Sequence, residues 1–309
     1  MSDSVISVQH VCRRFGRVQA VDDVCLEVAR GSIFGLLGTN GAGKTTLIRL
    51  LMGHLYPDAG QLQVFDSNPR THDAETLRRV AYVSDRMQLP GGMNLQDVLK
   101  LNSTFFPKWN MEYALNAARQ FDIDLSAKFS RMSLGQKRGA ILVQAVSQGA
   151  DLLVLDEPLS GLDPINRRKC LDLLLVAAVD QGLTVLISSH LLHDVERIVD
   201  TIAVLNRGRL VTSGNLEDLK TRLRRIRIDG VPKDSELDEA LAGCRVLKKG
   251  TNHEVTGLVV DGFDRSSQQR LEEIFAGRVY VELMNLEEIF VELSEQASVT
   301  FPVEVGAGR

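Results

Sequence analysis

The sequence has no excess of positive charge, no cysteine pair at short spacing, no long apolar run and no internal repeat, and each absence removes a class of function. Its 36 Lys and Arg against 40 Asp and Glu leave a formal charge of -4. No general basic field invites nucleic acid, so any phosphate binding must come from a local site. The four cysteines, Cys12, Cys25, Cys170 and Cys244, lie far apart with no C-x-x-C pair. They are expected to be reduced, buried thiols of a cytosolic protein. Met1 to Gln9 lacks the basic start and following apolar stretch of a secretory signal, so no export of the chain is implied. The most apolar segments, Asp151–Leu155 with its flanks and Leu171–Val179, are broken by charge well short of the ~20 residues a membrane helix needs. Service at a membrane would therefore need a partner to supply the span. There is no low-complexity tract.

What is present is enough for folding. With 309 residues and 44% hydrophobic side chains, the chain can form one large globular domain and a smaller one, each with a core. From Val5 to about Leu219 short β-branched runs alternate with longer amphipathic stretches, which predicts an α/β domain with a largely parallel sheet. Ser32–Leu37, Leu152–Leu155, Thr184–Ser188 and Ile202–Leu205 read as buried parallel strands. Val5–Val11 and Val24–Val28 alternate instead and predict an antiparallel edge sheet. Leu95 to about Phe129 carries helical spacing interrupted by Pro107, a helical insertion that spans about 90–135. After Leu219 the pattern changes to strand, helix, strand, strand, helix, strand and a closing helix. The elements are Arg224–Ile228, Ser235–Ala242, Arg245–Leu247, Val255–Val260, Ser267–Phe275, Arg278–Leu283 and Leu286–Leu293, which fit a small split β-α-β domain. The expected division is thus 1–220, 221–297 and a flexible tail at 298–309.

The first chemical signal is Gly38-Thr39-Asn40-Gly41-Ala42-Gly43-Lys44-Thr45, placed between the apolar run Ile33–Leu37 and the helical stretch Thr46–Met52. This is P-loop spacing in the strand, turn and helix context that phosphate binding demands. Glycines let the backbone close round phosphates and aim N–H groups at them. Lys44 would reach the β- and γ-phosphates, and the Thr45 hydroxyl would ligate Mg2+. The second signal is an apolar strand, Leu152–Leu155, that ends in Asp156 and Glu157. Two adjacent acids at a buried strand end are costly unless a cation or a reacting water uses them. Asp156 would hold the metal and Glu157 would polarise the water that attacks the γ-phosphate.

Three further motifs make the chain resemble the ATP-binding cassette nucleotide-binding domain over about Val5 to Leu219. Met132-Ser133-Leu134-Gly135-Gln136 resembles the family's signature, Ser160-Gly161-Leu162-Asp163 its D-loop, and Ser188-Ser189-His190 its switch histidine. The resemblance implies an α/β P-loop NTPase cassette with antiparallel β and helical subdomains, binding ATP and Mg2+ and hydrolysing ATP. Ser133, Gly135 and Gln136 would bind the γ-phosphate held by the P-loop of an opposite subunit, Asp163 would lie across that interface, and His190 would sense the γ-phosphate with Glu157. Thr46 closes the phosphate-binding run. On its own, Ser133 reads as a helix-capping serine.

Phe15 falls where the family stacks an aromatic on adenine, with a core Phe as the other reading. Asp85 stands where the family has its Q-loop glutamine. It keeps an oxygen for the metal but shortens the reach and adds charge, and Gln88 is a nearby substitute. Leu134 replaces the usual glycine, as in bacterial exporter cassettes of the drug- and peptide-resistance kind. Phe105-Phe106-Pro107-Lys108-Trp109-Asn110 and Leu286-Glu287-Glu288-Ile289-Phe290 also resemble that subgroup. The aromatics are either helical-subdomain core or part of a groove for a cytosolic coupling helix.

The implied partners are an integral membrane permease and a second copy of the chain or a paralogous cassette, with no nucleic acid. The implied location is cytoplasmic, peripheral on the inner face of the membrane. Other readings are a soluble cassette acting on the ribosome or DNA, and an importer ATPase.

Overall fold

The computed structural model describes residues 4–252 and 254–296. The segment 298–309, expected to be a flexible tail, lies outside the described residues. The chain divides into two compact units between Ser213 and Gly214.

The first unit opens with two long strands, β1 (Ser4–Phe15) and β2 (Val18–Ala29), followed by β3 (Ile33–Leu37) and α1 (Lys44–Leu51). Then come β4 (Ala59–Val64), α2 (Ala74–Arg78), β5 (Val80–Val83), α3 (Leu95–Phe105), α4 (Met111–Gln120) and α5 (Leu134–Ser147). The unit continues with β6 (Leu152–Asp156), α6 (Pro164–Gln181), β7 (Thr184–Ser189), α7 (Leu192–Val195), β8 (Thr201–Asn206) and β9 (Arg209–Asn215), the last crossing the division. Strands β2, β1 and β4 form a three-stranded sheet, antiparallel throughout. The other sheet has the order β5-β6-β7-β3-β8-β9, and its first five members run parallel.

Strand β3, and β6 up to its terminal Asp156, are apolar, and both strands are buried at every position, as a parallel sheet covered on both faces requires. Val5, Val8, Val24 and Leu26 of the antiparallel sheet share one core with Phe34, Leu36, Leu47, Ile48 and Val154. That core fixes α1, and with it the glycine loop, against β3. The order of strands does the rest. Because β7 lies between β3 and β6, parallel register puts Ser188 opposite Asp156 and Ser189 opposite Leu37. The carboxyl ends of three strands therefore meet at one edge, where open α/β sheets bind ligands.

The helical insertion starts at Asn94, whose side chain accepts the Asp97 N–H and caps α3. Pro107 follows where α3 stops, and Asn110 caps α4 in the same manner. The second unit contains α8 (Leu216–Arg222), β10 (Arg224–Asp229), α9 (Asp234–Ala240), β11 (Arg245–Thr251), β12 (Val255–Asp261), α10 (Arg265–Ile274), β13 (Val279–Leu283) and α11 (Leu286–Gln296). Its sheet has the order β11-β12-β10-β13, all antiparallel. Ile226, Ile228, Leu258 and Val260 pack with Leu237, Leu271 and Phe275 into a separate core.

One expectation fails. Only Cys170 is buried, whereas Cys12, Cys25 and Cys244 are half-buried. Cys12 and Cys25 lie on β1 and β2 of the small antiparallel sheet, and Cys244 lies in the connection before Arg245, so none of the three sits in the doubly covered parallel sheet. Among the described residues no helix is long and apolar enough to cross a membrane.

Candidate nucleotide site

The loop after β3 is built by glycines with no side-chain space or no ordinary backbone option. Gly38 has φ +157°, and a Cβ there would stand 2.5 Å from the Leu205 carbonyl oxygen. Gly43 has φ +108°, and its Cβ would stand 2.3 Å from the Ala20 carbonyl oxygen. Gly41, at φ +82°, has nothing within 4 Å of its Cβ position, so the loop is tight against the protein on one side and open on the other. Ala42 is buried and accepts the Gly208 N–H, while Thr39 accepts the Ala42 N–H. Thr39 and Asn40 are exposed, and Thr46 is half-buried in the first turn of α1.

Lys44 is 4% exposed. Its Nζ donates to the carbonyls of Gly38 at 2.7 Å and Thr39 at 3.2 Å, and stands 3.0 Å from Glu157 Oε1. That approach lacks hydrogen-bond geometry, so Oε1 is buried without a hydrogen-bond partner. The other oxygen, Oε2, is 2.7 Å from His190 Nδ1. Glu157 itself has φ +51°, a left-handed conformation costly for a non-glycine residue and found where a site imposes it.

Asp156 is 1% exposed. Its Oδ1 accepts from Thr45 Oγ1 at 3.0 Å and Ser188 Oγ at 2.9 Å, whereas Oδ2 is buried with no partner. Burial raises the Asp156 carboxyl above its ordinary range, and the negative charges of Asp85 and Glu157 push in the same direction. A buried carboxylate with one free oxygen, a neighbouring hydroxyl and two further acids close by suits a divalent cation with oxygen ligands. The open face of a glycine loop that places Lys44 among its own carbonyls suits phosphate.

Asp85 follows β5 and is about two-fifths exposed, its carboxylate meeting Arg86 at 4.0 Å. Its backbone carbonyl, with that of Ser84, accepts from the Arg138 guanidinium. Phe15 ends β1 beside the turn at Gly16, is 44% exposed, and lies under the Arg13 guanidinium at 4.9 Å. The core reading of Phe15 is thereby ruled out.

Ser133, Gly135, Gln136 and Asp163 stand apart from this cluster. Ser133 caps α5 in a reciprocal box with Gln136, Oγ accepting the Gln136 N–H at 3.2 Å and Gln136 Oε1 accepting the Ser133 N–H at 3.0 Å. Gly135 is pressed so close to Asn166 that a Cβ would lie 2.5 Å away, and Asn166 in turn donates to Asp163 at 2.6 Å. Asp163 caps α6, and its carboxyl is held below the ordinary range chiefly by the Asn166 N–H. Among the described residues no hydrogen bond or ion pair joins 133–136 to 38–46. The motifs give no role to two contributors: Ser188, which belongs only to the run that ends in His190 and also accepts the Glu157 N–H at 3.0 Å, and Arg138. The first is foreshadowed by the register of two parallel strands ending in polar residues; the second has no local signal.

A glycine loop between strand and helix, facing an acidic strand end and a histidine, defines a P-loop ATPase whose capped serine turn stands outside its own phosphate site. The chain belongs to the ABC transporter family, as one of its ATP-binding and ATP-hydrolysing subunits. Residues 21–160 match the family model described as ABC transporter. The chain is 30% identical over 224 residues to the bacitracin transport ATP-binding protein BcrA of Bacillus licheniformis, covering 72% of this chain and 73% of that one. It is 31% identical over 225 residues to the Nod factor export ATP-binding protein I of Ralstonia nicotianae, covering 71% and 70%. A solved structure of an ATP-binding subunit of an ABC transporter matches with TM-score 0.62 and 26% identity, covering 70% of this chain and 92% of that chain.

Proposed function

We propose that the chain energises a separate membrane permease of the exporter kind, working on the inner face of the membrane as one of two cassettes that clamp ATP between them. The observation that carries this is the separation described above. The phosphate loop, Asp156, Glu157 and His190 assemble within one chain, while Ser133 and Asp163 are exposed at helix starts elsewhere, with Gly135 buried and Gln136 half-buried behind Ser133. A second copy of this chain, or a paralogous cassette, brings its Ser133 turn to the γ-phosphate of ATP held by the first. The N-terminus of α5, with its N–H groups and positive dipole end, is suited to that anion.

In this reading Gly38 to Thr46 wrap the phosphates, and Lys44 exchanges its carbonyl partners for phosphate oxygens. Phe15 stacks on adenine. Thr45 and Asp156, with Asp85 near them, hold Mg2+, which when bound neutralises phosphate charge and polarises the phosphoryl group. Glu157, with one oxygen fixed by His190, orients and deprotonates the attacking water through the other. Asp163 lies across the interface.

The names of the relatives, bacitracin transport and Nod factor export, support the exporter assignment. On α3 the exposed Leu101 and Phe105 are one turn apart, and Met87 is exposed as well. Phe106 and Trp109 are half-buried and stacked on each other. This apolar surface suits a cytosolic coupling helix of the permease.

Glu157→Gln protein should dimerise in Mg-ATP and stay monomeric in Mg-ADP, measured by light scattering. A monomer with ATP bound contradicts the proposal. Recovery of tagged protein from membranes with ribosomes or DNA, and with no integral membrane protein, overturns the permease assignment.

A further inference from the structure

We propose that His10, Asp23 and Cys25 form a site for a borderline divalent cation of the zinc type, separate from the nucleotide site. The pairing of β1 with β2 is irregular here. From Val8 opposite Leu26 to Val11 opposite Val24, β1 uses one residue more than β2; from Val11 opposite Val24 to Arg13 opposite Val21, β2 uses one more than β1. These are two compensating bulges, flanking the buried pair Val11 and Val24. His10 and Asp23 occupy them, both at φ +51°. Bulges re-aim side chains, and here they turn an imidazole and a carboxylate toward each other, with Nδ1 2.9 Å from Oδ1.

Sulfur completes the cluster. The His10 N–H donates to Cys25 Sγ at 3.1 Å, and the Asp23 N–H donates to Cys12 Sγ at 3.3 Å. One ligand atom each from His10, Asp23 and Cys25 lies within 4.8 Å of the others. Zinc bonds of about 2.0–2.3 Å in tetrahedral geometry place ligands about 3.3–3.7 Å apart, about 1 Å closer than the 4.8 Å limit within which these three lie. Imidazole, carboxylate and thiolate is a donor set that zinc accepts and that Mg2+ and Ca2+, which take oxygen, do not. Of the seven non-glycine residues at positive φ among the described residues, His10 and Asp23 are a pair whose side chains meet, and backbone of this kind is found at ligand sites. His10 and Asp23 are open to solvent, giving the ion an entry path. Bound there, it would tie together the two strands whose far end carries Phe15 and the Ala20 carbonyl that abuts Gly43.

The test uses the full-length chain with Co2+ and Zn2+. Cobalt at this site should show a thiolate-to-metal absorption band in the near ultraviolet, removed by one equivalent of Zn2+. Cobalt held by the oxygens of the nucleotide site gives no such band, so the outcome is independent of the proposed function. Cys25→Ser should abolish the band, while Cys244→Ser should keep it. His10→Asn and Asp23→Asn, which keep residues tolerant of positive φ, should weaken zinc binding at least about tenfold, the least that loss of a supporting group costs a zinc site. Parent protein without a thiolate band, or His10→Asn protein binding zinc as tightly as the parent, overturns the proposal.

Discussion

Two glycines of one loop should fail in opposite ways when replaced by alanine. At Gly43 the methyl meets the Ala20 carbonyl oxygen at 2.3 Å, under the 3.0 Å that Cβ atoms do not breach, and φ is +108°. Left-handed backbone costs an L-residue about 1–2 kcal/mol, and forcing tightly packed backbone apart adds about 1–3 kcal/mol. The sum, about 2–5 kcal/mol, is a large part of a typical folding free energy of about 5–15 kcal/mol. At about 2–4 °C per kcal/mol for a unit of this size, Gly43→Ala should lower the melting midpoint by roughly 4–20 °C. Gly41 has φ +82° and open space round its Cβ, so Gly41→Ala should cost only the conformational term of about 1–2 kcal/mol. Its methyl, however, points into the open side of the loop, where phosphate is proposed to lie. Calorimetry of the nucleotide-free proteins, with titration of a fluorescent ATP analogue, separates the two effects. Equal destabilisation by both replacements, or parental ATP affinity in Gly41→Ala, would refute the reasoning.

Asp156→Asn should melt higher than the parent in the absence of nucleotide and metal, because burial raises the Asp156 carboxyl and its charge is unwelcome in the folded state. The sign follows from linkage: a carboxyl raised on folding favours the native state at low pH, and that advantage is lost as pH rises through its folded-state pKa. Melting midpoints recorded against pH should therefore decline less in the variant. The variant should also lose the stabilisation that Mg2+ adds to ATP, and a lower midpoint at neutral pH counts against this account. Phe15→Ala should weaken ATP binding about tenfold, since base stacking contributes about 1–3 kcal/mol, with Phe15→Trp near parental; unchanged affinity in Phe15→Ala removes Phe15 from the site. Burial pushes the Cys170 thiol up to about 12. In native protein at pH 8, mass spectrometry should find it unalkylated by iodoacetamide while half-buried Cys12 and Cys25 react; early labelling of Cys170 contradicts its placement.

Much of this was legible because the chemistry sits on the strongest local signals. The runs Ile33–Leu37 and Leu152–Leu155 have no polar interruption, so both strands and the ends that carry Lys44 and Asp156 could be read directly. The strand and helix alternation after Leu219 was legible where an element alternates or has an apolar face, as β10 and α10 do, whereas β11 buries no residue and runs past the expected Arg245–Leu247 to Thr251. Strands β4, β5 and β9 carry weaker local signals. Ala59–Val64 mixes Gly60, Gln61 and Gln63 with only two buried positions, Leu62 and Val64, at a sheet edge, Val80–Val83 is a single short pairing, and Arg209–Asn215 is mostly half-exposed. The bulges at His10 and Asp23 were hidden for a different reason. Strand reading assumes a period of two, and an inserted residue breaks that period where the side chains of interest lie. The capping role of Ser133 was visible as the plainer reading, and the structure realises it. Capping occupies the Gln136 N–H, and an anion would meet the other N–H groups of the first turn, which a helix leaves without intrahelical partners.

The central claim is that the phosphate site of one chain is completed by the Ser133 turn of another. It is tested most directly by mixing two purified variants, Lys44→Ala, with a disabled phosphate loop, and Ser133→Arg, with a blocked turn, and measuring ATP hydrolysis. Each alone should be inactive, and the mixture should recover activity, because one of its two sites then joins an intact loop to an intact turn. A mixture as inactive as its components, with the parent protein active under the same conditions, contradicts the claim.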